Sequence, residues 1–199
     1  MGFSTIFDVL GSMIIGGILL QMIINLNDSA TEKTINNSGE LSLQQNLTTV
    51  AQIIENDFRK IGYCAEWYKY PDPSKAVLYA DTSEIKFITD VDADGNIDSI
   101  HYVLGDPSEL EETPNPRDRL LYRLVNNKKV TESNLGITQF HLIFFDALGD
   151  TITPPITTPG LVSSLEINLT VENTAAYDTA YSNAFWKQIR LVARNLKNR

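Results

Sequence analysis

Oxygen ligands for a metal ion are the first chemistry that this sequence suggests. The stretch DVDADGNID, residues 90–98, places acidic side chains at alternate positions before a glycine. In a tight loop, alternate side chains can direct oxygens toward one centre, as in the first half of an EF-hand loop, and the glycine permits the sharp bend. A hard cation such as Ca²⁺ would offset the repulsion among the carboxylates. The candidate ligands, with Asn96 contributing a carbonyl and the last acid binding directly or through water, are Asp90, Asp92, Asp94, Asn96 and Asp98.

The aspartate stretch also differs from an EF-hand. Position 12, counted from Asp90, is His101, where an EF-hand has a bidentate glutamate, and the flanking sequences are typical of strands. The alternative is a polar hairpin turn without an ion, which the pair Asp94-Gly95 favours by turn chemistry alone. Both interpretations place the aspartates in a loop between two strands.

Nucleophilic catalysis finds little support in the sequence. The chain has one cysteine, Cys64, and two histidines, His101 and His141, and neither histidine has a serine or cysteine partner at a diagnostic spacing. No nucleophile elbow, phosphate-binding loop or zinc pattern occurs. Cys64 fits a small buried apolar group better than a catalytic thiol. We therefore expect that the protein is not an enzyme.

A basic cluster near the C-terminus is a further candidate binding surface. Lys187, Arg190 and Arg194 lie in the strand-like run FWKQIRLVAR, where the two arginines share one face. They could bind DNA or another polymer, meet the acidic surface of a neighbouring subunit, or simply be solvated. The formal net charge of −9 argues against nucleic acid as a general partner, because the field of the chain repels phosphate.

A helix with one apolar stripe is predicted before the aspartate stretch. Gly62 is placed to end it. The segment NNSG, residues 36–39, is a poor helix former and allows a break near 27–40. The stripe recurs at intervals of three and four residues and consists of Leu47, Val50, Ile54, Phe58 and Ile61.

The remainder of the chain is predicted to form an antiparallel sheet. Short apolar or alternating runs are separated by turn residues, and six of the eight prolines fall in the predicted loops 105–119 and 149–160. The expected fold is α+β: a long N-terminal hydrophobic helix, residues 1–62, packed on a β-rich head domain, residues 63–199. The predicted strands are 76–80, 84–89, 99–104, 120–125, 138–147, 164–172 and 185–194.

The opening segment is apolar apart from one acid. Between Phe3 and Leu26 only Asp8 is charged, and about 24 helical residues span about 36 Å, enough to cross a bilayer. A carboxylate in hydrocarbon is costly unless it reaches the headgroups or a cationic partner. Asp8 therefore either lies near the interface or pairs with a positive group on another copy of the chain. Small residues that allow close helix approach are Gly11, Gly16 and Gly17.

Taken together, these features resemble a type IV pilin-like protein. Gly2-Phe3 precedes a hydrophobic helix with an early acid, and the pieces DFRKIGY, IKFITDVDADGNIDSIHYVL, LLYRLV and RLVARNL occur in the order found in PilW-type minor pilins. In that family a prepilin peptidase cuts after the glycine, and an acid at the fifth mature position neutralises a neighbouring subunit's amine. The resemblance implies Phe3 as the first mature residue and Asp8 as the assembly acid, although Asp8 is the sixth residue from Phe3.

The expected function is that of a structural subunit of a pilus-like filament at the cell surface. The resemblance implies an inner-membrane precursor, prepilin peptidase processing and other copies or related pilins as partners. The alternative is a single-span anchored module that displays a calcium-stabilised binding domain outside the cytoplasm and does not polymerise.

Overall fold

The computed structural model of the chain describes residues 2–69, 72–133, 135–173 and 183–192. It divides into two compact units, Met1–Leu41 and Ser42–Arg199. One long helix and antiparallel sheets confirm the α+β class.

The helix α1 extends over Gly2–Arg59 without interruption. Residues 27–40, where the sequence allows a break, are helical throughout. The hydroxyls of Thr31 and Thr34 donate within this stretch to the carbonyls of Asn27 and Ala30, at 2.9 and 2.8 Å. No proline precedes residue 71, and the cost of a glycine inside a helix is only about 1 kcal/mol, so the backbone bonds continue.

Two antiparallel sheets follow the helix. The first has the strand order β1-β2-β3-β4-β5 and the second has the order β7-β6-β8-β9. All seven predicted strands are present, although two further strands, β5 and β7, were not predicted. The strands are β1 (Val77–Ala80), β2 (Glu84–Thr89), β3 (Asp98–Leu104), β4 (Leu121–Val125), β5 (Lys128–Ser133), β6 (Ile137–Phe145), β7 (Thr151–Ile152), β8 (Ser164–Glu172) and β9 (Asn183–Leu191).

The core of the second unit contains the predicted helix stripe. Phe58 is fully buried, and its ring meets those of Phe87 and Tyr102 edge-on, with ring centroids 5.4 Å apart in each pair. Such edge-to-face pairs add to the apolar area that they bury. Ile61 is also buried beyond the end of α1. Gly62 has a φ of 71°, and its N–H donates to the carbonyl of Ile88 at 2.8 Å, so the chain leaves the helix against β2.

Candidate functional site

The aspartate loop, defined as residues 90–98, connects β2 to β3 as the sequence predicts. Thr89 pairs with Asp98 at its base, which brings the two ends of the loop together. Gly95 has a φ of 82°, a left-handed conformation that glycine adopts without strain. A side chain at Gly95 would also collide with the Glu66 carboxyl group, about 2.9 Å from an added Cβ.

Asp90 is the centre of this loop. It is completely buried, and backbone N–H groups surround its carboxylate. The N–H groups of Ala65 and Gly95 donate to Oδ2 at 3.0 Å each, and that of Asp94 donates to Oδ1 at 3.1 Å. These bonds, with the one from Ala65 the strongest, hold the pKa of Asp90 below its ordinary value. Asp90 is therefore an anion that orders the loop.

Three carboxylates converge in the loop. Asp90, Asp92 and Asp98 each offer one oxygen, and these oxygens lie within 4.8 Å of one another. Asp98 Oδ1 accepts from Asn126 at 2.6 Å, and its Oδ2 accepts from the N–H of Val91 at 3.2 Å. An ionised carboxylate has about four acceptor positions, so these bonds leave capacity for a cation. The cluster can hold a metal ion.

The other two predicted ligands, Asp94 and Asn96, bond each other. The carboxylate of Asp94 accepts from the backbone N–H of Asn96 at 2.7 Å and from the Asn96 side chain at 2.8 Å. These bonds lower the pKa of Asp94. The structure thus pairs Asp94 with Asn96 and does not bring Asp94 into the three-carboxylate cluster.

Residues after the end of α1 support the loop, and sequence reasoning missed them. Besides Ala65, the carbonyl of Tyr63 accepts from the N–H of Asp90 at 2.8 Å, and Lys60 Nζ reaches the carbonyl of Val91 at 3.4 Å. The Glu66 carboxylate is held by Lys69 at 2.7 Å, which lowers its pKa. No local spacing marks this set, because its members lie about 25 to 31 residues before their partners.

The segment predicted to mediate assembly has exposed apolar side chains. From Ile6 to Leu26 the large apolar side chains of α1 are between 50% and 71% exposed, and Asp8 is exposed among them. An added Cβ at Gly11, Gly16 or Gly17 would meet no atom within 4 Å. Phe3 belongs to α1, but its side chain lies outside the described part. This helix is long and apolar enough to cross a membrane, and can be an anchor or a signal sequence.

The remaining candidates have local partners or lie beyond the described residues. Lys187 pairs with Glu166 at 2.9 Å. Arg190 belongs to β9, but its side chain is outside the described part of the chain, and so is the whole of Arg194. His101 Nε2 lies 2.7 Å from Glu84 Oε1. Cys64 is half-buried rather than buried, and its thiol donates to the carbonyl of Glu66, with Sγ and the oxygen 3.4 Å apart.

Comparison with known proteins gave no match to a protein-family model, to a curated protein or to a solved structure. The resemblance to pilins consequently depends on the sequence pieces quoted above.

Proposed function

We propose that this protein is a structural subunit of a type IV pilus-like filament and polymerises through the first part of α1. The observation that carries this proposal is the change in character along one helix. From Ile6 to Leu26 the helix is apolar and exposed on every side, whereas from Leu43 onward it contributes a buried stripe to the core of the second unit. A helix that is apolar all round requires an apolar environment from outside its own chain.

The energetics favour burial of this segment in a membrane or among copies of itself. Leaving one large apolar side chain in water costs about 1.5–3 kcal/mol, and this segment exposes many of them. Between lipid and protein the apolar term is nearly neutral, so close packing and polar contacts decide. The open space around Gly11, Gly16 and Gly17 allows neighbouring helices to approach closely.

Asp8 provides the polar contact in this mechanism. In a single subunit within the bilayer, a carboxylate without a cationic partner is unfavourable. In the filament, Asp8 meets a positive group of a neighbouring subunit, such as the terminal amine that peptidase cleavage before Phe3 would create. Because close packing along the whole apolar segment involves many more contacts than one ion pair, Asp8 sets the register of helix packing more than its strength.

The second unit then forms the outer surface of the filament, and its aspartate loop binds Ca²⁺. Carboxylate oxygens are the ligands that Ca²⁺ prefers, and the three converging acids Asp90, Asp92 and Asp98 supply them. The protein is accordingly a membrane-anchored precursor that becomes part of a cell-surface filament.

Removing the carboxylate of Asp8 tests the assembly mechanism. Cells producing Asp8→Ala are expected to release far fewer filaments on shearing than cells producing the unchanged chain, as measured by electron microscopy and by quantifying the sheared protein. Asp28→Ala is the matched control, because Asp28 is also an exposed acid of α1 but follows the apolar segment. It should assemble normally.

Two results would contradict the proposal. If Asp8→Ala gives filaments of normal yield and geometry, Asp8 has no role in register. If the unchanged chain stays in the membrane fraction and forms no filaments, the protein is an anchored module. Mass spectrometry of the N-terminus adds an independent check, because peptidase processing predicts a chain that begins at a methylated Phe3.

A further inference from the structure

The outer face of the second sheet carries one strongly exposed aromatic side chain among polar ones. We define this outer face as the side of β6, β8 and β9 opposite the core, where two cross-strand rows lie side by side. In one row Gln139 pairs with Thr170 and Thr170 with Phe185; in the next, His141 pairs with Asn168 and Asn168 with Lys187. Along the strands the two rows are separated by two residues, or about 7 Å, and across the sheet the three strands span about 10 Å. The resulting platform has the dimensions of a short oligosaccharide.

Phe185 is the apolar element of this platform. Its side chain is 76% exposed, although it is the third residue of a nine-residue strand and does not lie in a loop. The neighbouring residue Trp186 faces the opposite way and packs against the core. Phe185 therefore contributes nothing to the core, and its exposed ring is accessible to whatever approaches the sheet.

The polar groups around Phe185 are ordered by one another. Glu166 is only 8% exposed, and its Oε1 accepts from Lys187 Nζ at 2.9 Å and from Asn168 Nδ2 at 3.0 Å. Thr170 Oγ1 donates to Gln139 Oε1 at 3.2 Å. These bonds fix two planar amide groups on the same face of the sheet as the aromatic ring, so less side-chain entropy is lost when a ligand binds.

Among the described side chains of the platform, Glu166 and Lys187 neutralise each other. Burial would raise the pKa of Glu166, but the hydrogen bonds from Lys187 and Asn168 outweigh burial and lower it, so the pair remains ionised. A self-neutralised ion pair in a chain of net charge −9 offers no attraction to a polyanion. A neutral ligand rich in hydroxyl groups fits this platform, because it uses amide, hydroxyl and imidazole partners without requiring a charge.

We infer that the outer face of the second sheet binds a neutral polysaccharide, with a sugar ring stacked on Phe185 and its hydroxyls bonded to Gln139, Asn168 and His141. The C–H groups on one face of a sugar ring are weakly positive and match the negative face of the aromatic ring. The ring supplies the apolar contact, and the planar amides supply the direction of the hydrogen bonds. This inference does not depend on filament formation.

The test is titration calorimetry on the full chain, kept dispersed in a zwitterionic detergent without a sugar headgroup. The probes are cellohexaose, chitohexaose, maltohexaose and mannohexaose, with hexagalacturonate as the anionic comparison. At least one neutral hexamer should bind with a submillimolar Kd. Phe185→Ala should weaken that binding by about tenfold or more, whereas Phe185→Trp should retain it. Leu148→Ala is the matched control, because Leu148 is 88% exposed but lies in the hairpin between β6 and β7.

Circular dichroism of each variant verifies that the fold is intact, which the exposure of Phe185 leads us to expect. The inference fails if none of the four neutral hexamers binds, if hexagalacturonate binds as well as they do, or if Phe185→Ala binds like the unchanged chain. It also fails if Phe185→Ala abolishes filaments while leaving sugar binding intact, since Phe185 would then be a contact between subunits.

Discussion

Among the described carboxyl groups, Asp118 has an environment that disfavours its charged form. It is completely buried, and neither carboxylate oxygen has a hydrogen-bond partner among the described residues. Burial, with a contribution from the repulsion of Glu172, raises the pKa of Asp118 to about 6. The nearby Thr113 hydroxyl offsets part of this rise in pKa, although it donates to the carbonyls of Leu110 and Asn115. The folded chain therefore favours a neutral Asp118.

This predicts a distinct pH dependence of stability. An unfolded aspartate has a pKa of about 3.9, so between about pH 4 and pH 6 the folded chain retains a proton that the unfolded chain has lost. Asp118 consequently makes the protein less stable as pH rises through this window. Asp118→Asn should remove on the order of 1–2 kcal/mol of that loss and raise the melting temperature at pH 7.5 relative to the unchanged chain.

Melting curves followed by tryptophan fluorescence at pH 4.5, 6 and 7.5 measure the effect. Glu111→Gln is the control, because Glu111 is exposed and should leave the pH profile unchanged. A profile for Asp118→Asn that parallels the unchanged chain would show that Asp118 is solvated.

The sequence predicts a loop over residues 105–119, but no pattern marks Asp118 as buried. Its burial follows from a tertiary contact in which the N–H of Arg119 donates to the carbonyl of Ile137 at 2.9 Å.

At the scale of elements, the aspartate loop allows a direct test of its ligands. If Ca²⁺ binds Asp90, Asp92 and Asp98, then calcium at 100 times its Kd stabilises the folded chain by about 2.7 kcal/mol. For a protein of this size that corresponds to a rise in melting temperature of roughly 5–10 °C. EDTA should reverse it.

Two neighbouring aspartates make a matched pair for this measurement. Asp92→Asn removes an exposed member of the cluster and should abolish most of the calcium-induced rise. Asp94→Asn should retain most of it, because the Asp94 carboxylate bonds Asn96 instead. Identical melting temperatures in calcium and in EDTA for the unchanged chain would identify the loop as an ion-free hairpin.

The strands and the aspartate loop show which features of the fold could be predicted from sequence patterns. Alternation of apolar residues located seven strands, and the aspartate-rich turn fell between the strands that the structure has. The strand β5 was missed because its sequence KKVTES is mostly polar, although the two asparagines before it, Asn126 and Asn127, adopt the positive φ angles of 51° and 62° that a two-residue hairpin requires. The support of the loop by residues 60–66 could not be predicted, since it depends on where α1 ends against β2.

At the scale of the whole molecule, the buried core and the exposed apolar segment lie in different parts of the chain. Every buried apolar side chain that the structure describes lies at Leu43 or later, whereas the exposed apolar segment ends at Leu26. A chain of residues 42–199 therefore keeps the whole described core. Its new first residue, Ser42, with Gln45 three positions later, has the sequence of a capping box, which satisfies backbone N–H groups at a helix start.

We predict that residues 42–199 fold without detergent into a monomer whose melting temperature lies within about 5 °C of the full chain, since no core contact is lost. Light scattering after size-exclusion chromatography should give the monomer mass, and electron microscopy should find no filaments. The control is a chain lacking only residues 1–5, which keeps the apolar segment and should still require detergent. Filaments formed by residues 42–199 would place the polymerising surface in the second unit. An unfolded 42–199 chain would mean that the first unit contributes to stability, so that residues 1–41 are needed for the fold as well as for the proposed assembly.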